Sequence, residues 1–166
     1  MLYPVALLEA VERLETIAVE DVVYRHMLGD ISPARANTRG ARWNPPDVAA
    51  IYASFERETA LAEANYHLSL QVPPIRVRRT IYRIRVNLQV VTAMRDADVL
   101  LRLGIDHSSE LAACQRVGGT VASLGRNGLI VPSLRHGGLN LVIYPKDGEI
   151  EPSQFEIVDS EILLSS

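Results

Sequence analysis

The sequence predicts an α+β fold, because its helical and extended segments do not alternate regularly. The predicted order is helix, strands, helix, strands, helices and strands, whereas a doubly wound parallel sheet needs strand and helix in turn. No glycine-rich loop of the G-x-G-x-x-G or Walker type occurs, which excludes the usual nucleotide-binding folds. A length of 166 residues, with no repeat or linker, predicts one domain over residues 1–166.

Charge and composition exclude several broad classes of function. A net charge of −3 gives no general attraction to nucleic acid or to anionic membranes. No apolar run reaches the roughly 18 residues that a membrane span needs, and the N-terminus lacks the basic segment of a signal peptide. Cys114 is the single cysteine, so no internal disulfide can form, which suits a reducing compartment. We therefore expect a cytoplasmic protein without membrane association.

The first third of the chain is predicted to hold a helix, a strand and a long loop. Residues Pro4 to Ile17 carry apolar side chains at helical spacing behind an early proline. Asp21 to His26 predicts a short strand. Met27 to Asp47 is rich in Gly, Pro, Ser and Asn and has no periodicity. A loop of this length in a compact domain is usually functional or disordered, and Trp43 argues against disorder.

The rest of the chain predicts one helix and one strand of clear pattern, followed by shorter elements. Ala49 to Ser54 predicts a buried strand, and Glu56 to Leu68 a helix with an apolar inner face. Thr80 to Val86 alternates apolar residues with arginines, as a half-exposed strand does, and Val90 to Ala93 could continue it. Further helices are predicted over Asp96 to Leu103 and Ser108 to Val117, and further strands over Gly128 to Val131, Asn140 to Tyr144 and Phe155 to Val158.

The long loop contains the first candidate binding residues. Arg42, Trp43 and Asn44 stand between a glycine and a proline, Gly40 and Pro45. This combination indicates a fixed backbone that directs a cation, an aromatic plane and an amide toward one ligand. For Arg42 a surface ion pair remains the alternative.

Two strand residues are candidates for contacts with a ligand. Arg25 ends the first predicted strand, where a guanidinium can bind a phosphate through two hydrogen bonds; a weak surface ion pair is the alternative. Tyr52 shares a strand face with Ser54. Tyr52 could stack on a ring or donate a hydrogen bond, or it could pack in the core with its hydroxyl satisfied.

Glu63 and Ser133 are candidates for direct roles in chemistry. Glu63 lies mid-helix at the edge of the apolar face, where burial without a partner is costly, although the solvent face is equally compatible with the periodicity. Ser133 follows Val131 and Pro132, but not in a Gly-x-Ser-x-Gly pattern, so its hydroxyl is predicted to bind a ligand rather than to attack one. The four histidines show no ligand spacing, and no metal site is expected: His26, His67, His107 and His136.

Five arginines cluster between positions 76 and 85: Arg76, Arg78, Arg79, Arg83 and Arg85. Such a cluster could form a docking face for a partner or a weak nucleic-acid patch. A solvated strand face is the more common explanation.

Taken in order, several short blocks resemble the RES domain family, which is named for an arginine, a glutamate and a serine. The resemblance spans Val22 to Pro145, and its blocks together are specific although each alone is weak. The blocks are Tyr24-Arg25, Gly40-Ala41-Arg42-Trp43-Asn44-Pro45, Tyr52-Ala53-Ser54, Ala60 to Glu63, Leu129 to Arg135 and Asn140 to Pro145.

The resemblance implies a fold and an activity. RES proteins are toxins of bacterial toxin–antitoxin pairs, and their helix-turn-helix antitoxins cover the active site in assemblies that are usually multimeric. The implied fold is ADP-ribosyltransferase-like, with a split, mainly antiparallel sheet and flanking helices. The implied activity is consumption of NAD+ by phosphorolysis or hydrolysis, so NAD+ is a substrate rather than a cofactor and inorganic phosphate is a possible co-substrate. Contact with nucleic acid is implied only through the antitoxin.

Carried over position by position, the resemblance implies a set of site residues. The catalytic set is Arg25, Tyr52, Glu63 and Ser133, and the substrate-binding set is Arg42, Trp43, Asn44 and Asn140. Arg25 and Arg42 are expected to hold phosphates, and Tyr52 to pack on the nicotinamide or its ribose. Glu63 is expected to bind the ribose hydroxyls, while Ser133 positions the nicotinamide-ribose half with Asn44 or Asn140.

Two positions depart from the family pattern, and two other functions remain open. Asp47 and Leu134 stand where the family often has glycine and alanine.

The first alternative function is a mono-ADP-ribosyltransferase that modifies a protein. The second is a non-catalytic module that binds a partner through the Arg76 to Arg85 segment.

Overall fold

The structure is a computed structural model that describes residues 3–105 and 110–164. Its strands there are β1 (Thr16–Leu28), β2 (Ile51–Ser54), β3 (Arg79–Ala93), β4 (Gly128–Pro132), β5 (Leu139–Ile143) and β6 (Phe155–Leu163). Its helices there are α1 (Val5–Glu12), α2 (Arg57–Ser69), α3 (Ala97–Arg102) and α4 (Leu111–Ser123), with a 3-10 turn at Lys146–Gly148. The predicted α+β class is confirmed.

The strands form one sheet that closes into a barrel. Their order is β1-β2-β5-β4-β3-β6, and an additional pairing joins β1 to β3. The pairs are antiparallel except β3 with β4. A closed barrel therefore replaces the expected split sheet. The cause is the length of β3: Arg79–Val86 pairs with β6, Val91–Ala93 pairs with β4, and the other edge of β3 pairs with β1.

The barrel has one apolar core inside and another on its outer face. The inner core takes residues from all six strands, including Val23, Ile51, Ile84, Ile130 and Leu141. The outer core packs α1 and α4 against the sheet, through residues such as Val11, Cys114, Val117, Leu129 and Val142. Because side chains alternate along a strand, β2 directs Ile51 and Ala53 inward and Tyr52 outward. The outward face of β2 is where the candidate site lies.

Several predicted boundaries move once pairing is known. The helix predicted to end at Ile17 ends at Glu12, because Thr16 and Ile17 already pair with β3. The strand segments predicted at Thr80 and Val90 form one strand, β3. The helix predicted from Ser108 begins at Leu111 and continues to Ser123, and positions 108 and 109 lie outside the described residues.

No helix within residues 3–105 and 110–164 is long and apolar enough to cross a membrane. Within the same residues, no group of three or more His, Cys, Asp or Glu side chains could hold a metal ion. His107 lies outside this part of the chain.

Three of the five arginines between positions 76 and 85 form ion pairs within the described residues. Arg83 forms an ion pair with Asp159 at 2.7 Å, and Arg85 contacts Glu156 at 3.5 Å, both across the β3–β6 pair. Arg78 pairs with Asp30. These three exposed pairs are of the kind found on a solvated strand face. Arg79 instead donates to His26 and Asn65, and Arg76 forms no ion pair among the described residues.

His26 on β1 couples the fold to pH. Its Nε2 accepts a hydrogen bond from Nε of Arg79 at 3.0 Å. Burial, and then the neighbouring Arg79 cation, lowers the pKa of His26 to about 4. An unfolded histidine has a pKa of about 6.5. As pH falls through this window, the unfolded state therefore takes up the proton first and the folded state loses stability.

We expect the free energy of unfolding to fall more steeply between pH 6.5 and pH 4.5 in the wild type than in His26→Gln. Glutamine keeps an acceptor for Arg79 but does not titrate. Urea unfolding of both proteins at the two pH values measures this difference. Equal losses in the two proteins would show that His26 does not contribute.

Candidate active site

Strand pairing brings four polar side chains together at one end of the barrel. Ser54 at the end of β2 lies opposite Asn140 of β5, and Asn140 also lies opposite Val131 of β4. Ser133 follows β4 directly, and α2 contributes Glu63. The side chains of Ser54, Glu63, Ser133 and Asn140 form one hydrogen-bonded group, called the carboxylate network below.

The Glu63 carboxylate is the centre of the carboxylate network. Its Oε1 accepts hydrogen bonds from the Ser133 hydroxyl at 2.6 Å and from Nδ2 of Asn140 at 2.9 Å. Oδ1 of Asn140 accepts a hydrogen bond from the Ser54 hydroxyl at 2.7 Å. Within the described residues Glu63 forms no ion pair, and its Oε2 receives no hydrogen bond. The network therefore offers a half-buried carboxylate with one oxygen left for a ligand.

The loop after β4 is held so that Ser133 reaches Glu63. The Ser133 oxygen accepts the backbone N–H of Arg135 at 3.1 Å and of His136 at 3.2 Å. This local turn is one that serine favours. The loop also lies against α2: Thr59 Oγ1 is 2.8 Å from His136 Nδ1, and a Cβ at Gly138 would come within 2.3 Å of the same oxygen. Glycine is therefore needed at this close approach.

Tyr52 ties the long loop to β2. Its hydroxyl donates to Oδ1 of Asn44 at 2.5 Å and accepts the backbone N–H of Trp43 at 2.9 Å. Asn44 is fully buried, and its Nδ2 donates to the Val48 carbonyl at 2.8 Å. Trp43 is 6% exposed, and its carbonyl accepts from the Tyr144 hydroxyl at 2.7 Å. These placements favour a structural role for Asn44 and Trp43 over the predicted contact with substrate.

Arg25 is a desolvated cation that has no carboxylate partner among the described residues. Its Nη1 donates to the Tyr52 carbonyl at 2.7 Å and its Nη2 to the Arg35 carbonyl at 2.9 Å. Its Nε is buried and has no hydrogen-bond partner. Burial lowers the pKa of Arg25 to about 10, and the nearby Tyr52 acts in the opposite direction. In the described part of the chain the guanidinium is therefore bound only to backbone carbonyls, and a cation without a carboxylate partner suits an anionic ligand.

Arg42 is the second cation beside Tyr52. The one protein acceptor of its guanidinium in the described structure is Sγ of Cys114, at 3.8 Å from Nη1. Burial raises the pKa of the Tyr52 hydroxyl, and the positive charges of Arg42 and Arg25 partly oppose that shift. Both arginines are therefore near enough to act on the same hydroxyl. Arg25, Arg42 and Tyr52 are called the arginine–tyrosine cluster below.

The two groups meet on β2. Tyr52 belongs to the arginine–tyrosine cluster and Ser54 to the carboxylate network, and side chains two positions apart on one strand face lie about 7 Å from each other. Six of the eight predicted site residues, all except Trp43 and Asn44, thus belong to two adjacent groups of opposite charge. No described hydrogen bond joins Arg25 to Glu63. The cavity of about 370 Å³ lined by residues such as Leu14 and Arg102 contains none of the eight.

A model of the RES domain family matches residues 19–161. The chain belongs to the RES domain family. It resembles a chain of the M. tuberculosis MbcT-MbcA toxin–antitoxin complex with a TM-score of 0.84 and 22% identity, over 96% of this chain and 93% of that one. That likeness shows a shared fold. An anti-CRISPR protein aligns at a TM-score of 0.41 and 16% identity, over 88% of this chain and 99% of that one, which is too weak for an argument. No curated protein sequence matches the chain.

The first departure from the RES pattern has a structural explanation. Asp47, where the family often has glycine, adopts a φ of 74°, a left-handed conformation that glycine enters at little cost. Its backbone N–H donates to the Thr38 carbonyl at 3.0 Å. The second departure, Leu134, is 39% exposed. Neither residue belongs to the two polar groups.

Sequence reasoning missed two features of this RES domain. The first is the contact between Ser54 and Asn140. The sequence places Ser54 on the same strand face as Tyr52, but only the β2–β5 register shows that Asn140 lies opposite it. The guanidinium of Arg135 lies over the ring of Tyr66, 3.3 Å from its centroid. Tyr66 follows Glu63 by three positions on α2, a spacing that brings helical side chains together. That spacing is the signal by which Tyr66 could have been found.

Proposed function

We propose that the protein is a bacterial toxin that degrades NAD+ by cleaving the bond between nicotinamide and ribose. Membership of the RES domain family and the shared fold with a chain of a toxin–antitoxin complex support the toxin role. The chemistry of the site supports NAD+ as the substrate. The proposal includes a fold that is related to the fold of the ADP-ribosyltransferases.

The distribution of unpaired charge is the observation that carries this proposal. Arg25 and Arg42 lack carboxylate partners, and Glu63 lacks a cationic partner, within the described residues. NAD+ has the complementary arrangement, with an anionic pyrophosphate at one end of the reacting ribose and a cationic nicotinamide on its C1′. Such a ligand can place an anion beside the two arginines and a cation beside Glu63 at the same time, whereas a simple anion or a neutral sugar cannot.

The reaction breaks the N-glycosidic bond. Nicotinamide leaves with the bonding electron pair and becomes neutral, while positive charge develops on the ribose. In the proposal, Oε2 of Glu63 accepts hydrogen bonds from the ribose hydroxyls, and the carboxylate stabilises the positive charge on the ribose. Ser133 and Asn140 keep the carboxylate in place through Oε1, at 2.6 and 2.9 Å. A phosphate oxygen then forms the new bond to C1′, or water forms it and releases a proton to solvent.

The arginine–tyrosine cluster supplies binding energy in this proposal. Arg25 and Arg42 bind the pyrophosphate, or the attacking phosphate, through charge-assisted hydrogen bonds. Tyr52 packs against the nicotinamide-ribose half, while its hydroxyl stays engaged by Asn44 and Trp43. The buried Trp43 and Asn44 hold Arg42 at the site.

The proposed partner is a helix-turn-helix antitoxin that covers this site in a multimeric, cytoplasmic complex. The support is the solved toxin–antitoxin complex in which the similar chain occurs. In this proposal a single domain over residues 1–166 carries the toxin, and nucleic acid is contacted only through the antitoxin.

Incubation of the purified protein with NAD+, with and without inorganic phosphate, tests the function and identifies the acceptor. We expect one molecule of free nicotinamide to appear for each molecule of NAD+ that is consumed. A phosphorylated ADP-ribose that forms only with phosphate identifies phosphorolysis, and ADP-ribose without phosphate identifies hydrolysis. Label transferred from adenine-labelled NAD+ to a protein would identify ADP-ribosyltransfer instead. Intact NAD+ under all conditions, with folded protein free of antitoxin, would contradict the proposal.

A further inference from the structure

Ser54 is a buried hydroxyl with one specific partner. It is 3% exposed, and its hydroxyl donates to Oδ1 of Asn140 at 2.7 Å. Its backbone is fixed on both sides, because Ser54 pairs with Tyr24 on β1 and with Asn140 on β5. The hydroxyl is therefore held at a defined position within the carboxylate network.

Hydrogen-bond chemistry fixes the direction of each bond in this network. An ionised carboxylate can only accept, so Asn140 must present its NH2 group to Glu63. The opposite face of the amide is then the carbonyl oxygen, which needs a donor, and the Ser54 hydroxyl provides one. If the amide rotated by half a turn, its oxygen would face Glu63 and repel the carboxylate. The carboxylate therefore selects the orientation of the amide. The Ser54 hydroxyl, which can donate or accept, holds the amide in its position at 2.7 Å.

We propose that Ser54 is a positioning residue that holds the Asn140 amide in place and, through it, the Glu63 carboxylate. Oε1 of Glu63 is held by Asn140 and Ser133, so that Oε2 is directed to the ligand. Ser54 acts through Asn140 and needs no contact with the ligand. The kinetic consequence rests on the proposed NAD+ cleavage, whereas the placement of the amide does not.

The side-chain amide signals of Asn140 test this placement without any substrate. In ¹⁵N-labelled wild-type protein, we expect one Asn140 amide proton to exchange slowly with solvent because it is bound to Glu63. In Ser54→Ala this exchange should be about tenfold faster, since an unfixed amide opens more often. Ser54→Thr, which keeps the hydroxyl, should restore slow exchange. Rapid exchange in the wild type, or slow exchange in Ser54→Ala, would overturn the proposal.

Kinetics provide the second readout. Ser54→Ala should lower kcat for NAD+ cleavage about tenfold, the effect of losing one hydrogen bond, with KM changed less than about twofold. Ser160→Ala is the matched control, because Ser160 is an exposed serine on β6, and it should leave both constants unchanged. Equal losses in Ser54→Ala and Ser54→Thr would overturn the role of the hydroxyl. A wild type that leaves NAD+ intact contradicts the proposed function alone, and the exchange experiment still decides the role of Ser54.

Discussion

Glu63→Gln is expected to lower the rate of NAD+ cleavage by about 100- to 1000-fold, the usual loss when one stabiliser of transition-state charge is removed. Glutamine keeps a carbonyl oxygen that can accept from Ser133 and Asn140, as Oε1 of Glu63 does at 2.6 and 2.9 Å. It lacks the negative charge that would oppose the developing charge on the ribose. The fold should therefore persist while kcat falls, and steady-state kinetics with purified protein measure the loss.

Glu58→Gln provides the control for this substitution. Glu58 lies on the same helix with 65% of its side chain exposed, and it makes only a 3.6 Å contact with Arg57. Surface pairs of this kind contribute little, so this variant should keep its rate. Wild-type turnover by a folded Glu63→Gln protein would remove Glu63 from the mechanism.

Gly118→Ala is expected to destabilise the protein by about 3 kcal/mol, the upper part of the range for overpacked cores. An added Cβ at Gly118 would lie 1.8 Å from the carbonyl oxygen of Trp43 and 2.7 Å from the hydroxyl of Tyr144. Helix α4 packs there directly on the backbone of the loop that carries Arg42. The loop must move away or the helix must shift, and either change displaces Arg42 from Tyr52.

Urea unfolding measures the stability of Gly118→Ala, and tryptophan fluorescence reports the loop. Trp43 is the only tryptophan of the chain and is 6% exposed, so its emission should shift to longer wavelength in the variant. Gly137→Ala is the matched control, since an added Cβ there meets no atom within 4 Å. An unchanged midpoint and emission in Gly118→Ala would contradict the tight contact between α4 and the loop.

The sequence predicted most elements because each has a local signature. The helix around Glu63 and the strands around Tyr52 and Asn140 lie close to their predicted positions, at Arg57–Ser69, Ile51–Ser54 and Leu139–Ile143. Alternation of side chains also placed Tyr52 and Ser54 on one face correctly. Such periodicities depend only on neighbouring residues.

Closure of the barrel could not be predicted in this way. It depends on pairing between β1 and β3, whose partner residues lie more than 50 positions apart, for example Arg25 and Tyr82. The same limit applies within the site. Trp43 and Asn44 have residue types that suit a ligand. The side-chain amide of Asn44, however, is bound to Tyr52 and Val48, and Trp43 is 6% exposed with its carbonyl bound to Tyr144. Only the packing of α4 and β2 around the loop reveals this.

Release of nicotinamide from NAD+, followed in parallel for the wild type, Glu63→Gln and Glu58→Gln, tests the central claim most directly. The claim is that Glu63 stabilises the charge that develops as the nicotinamide–ribose bond breaks. It predicts steady release by the wild type and by Glu58→Gln, and release lower by about 100- to 1000-fold in Glu63→Gln. Equal release by all three proteins, or no release by any of them, would contradict it.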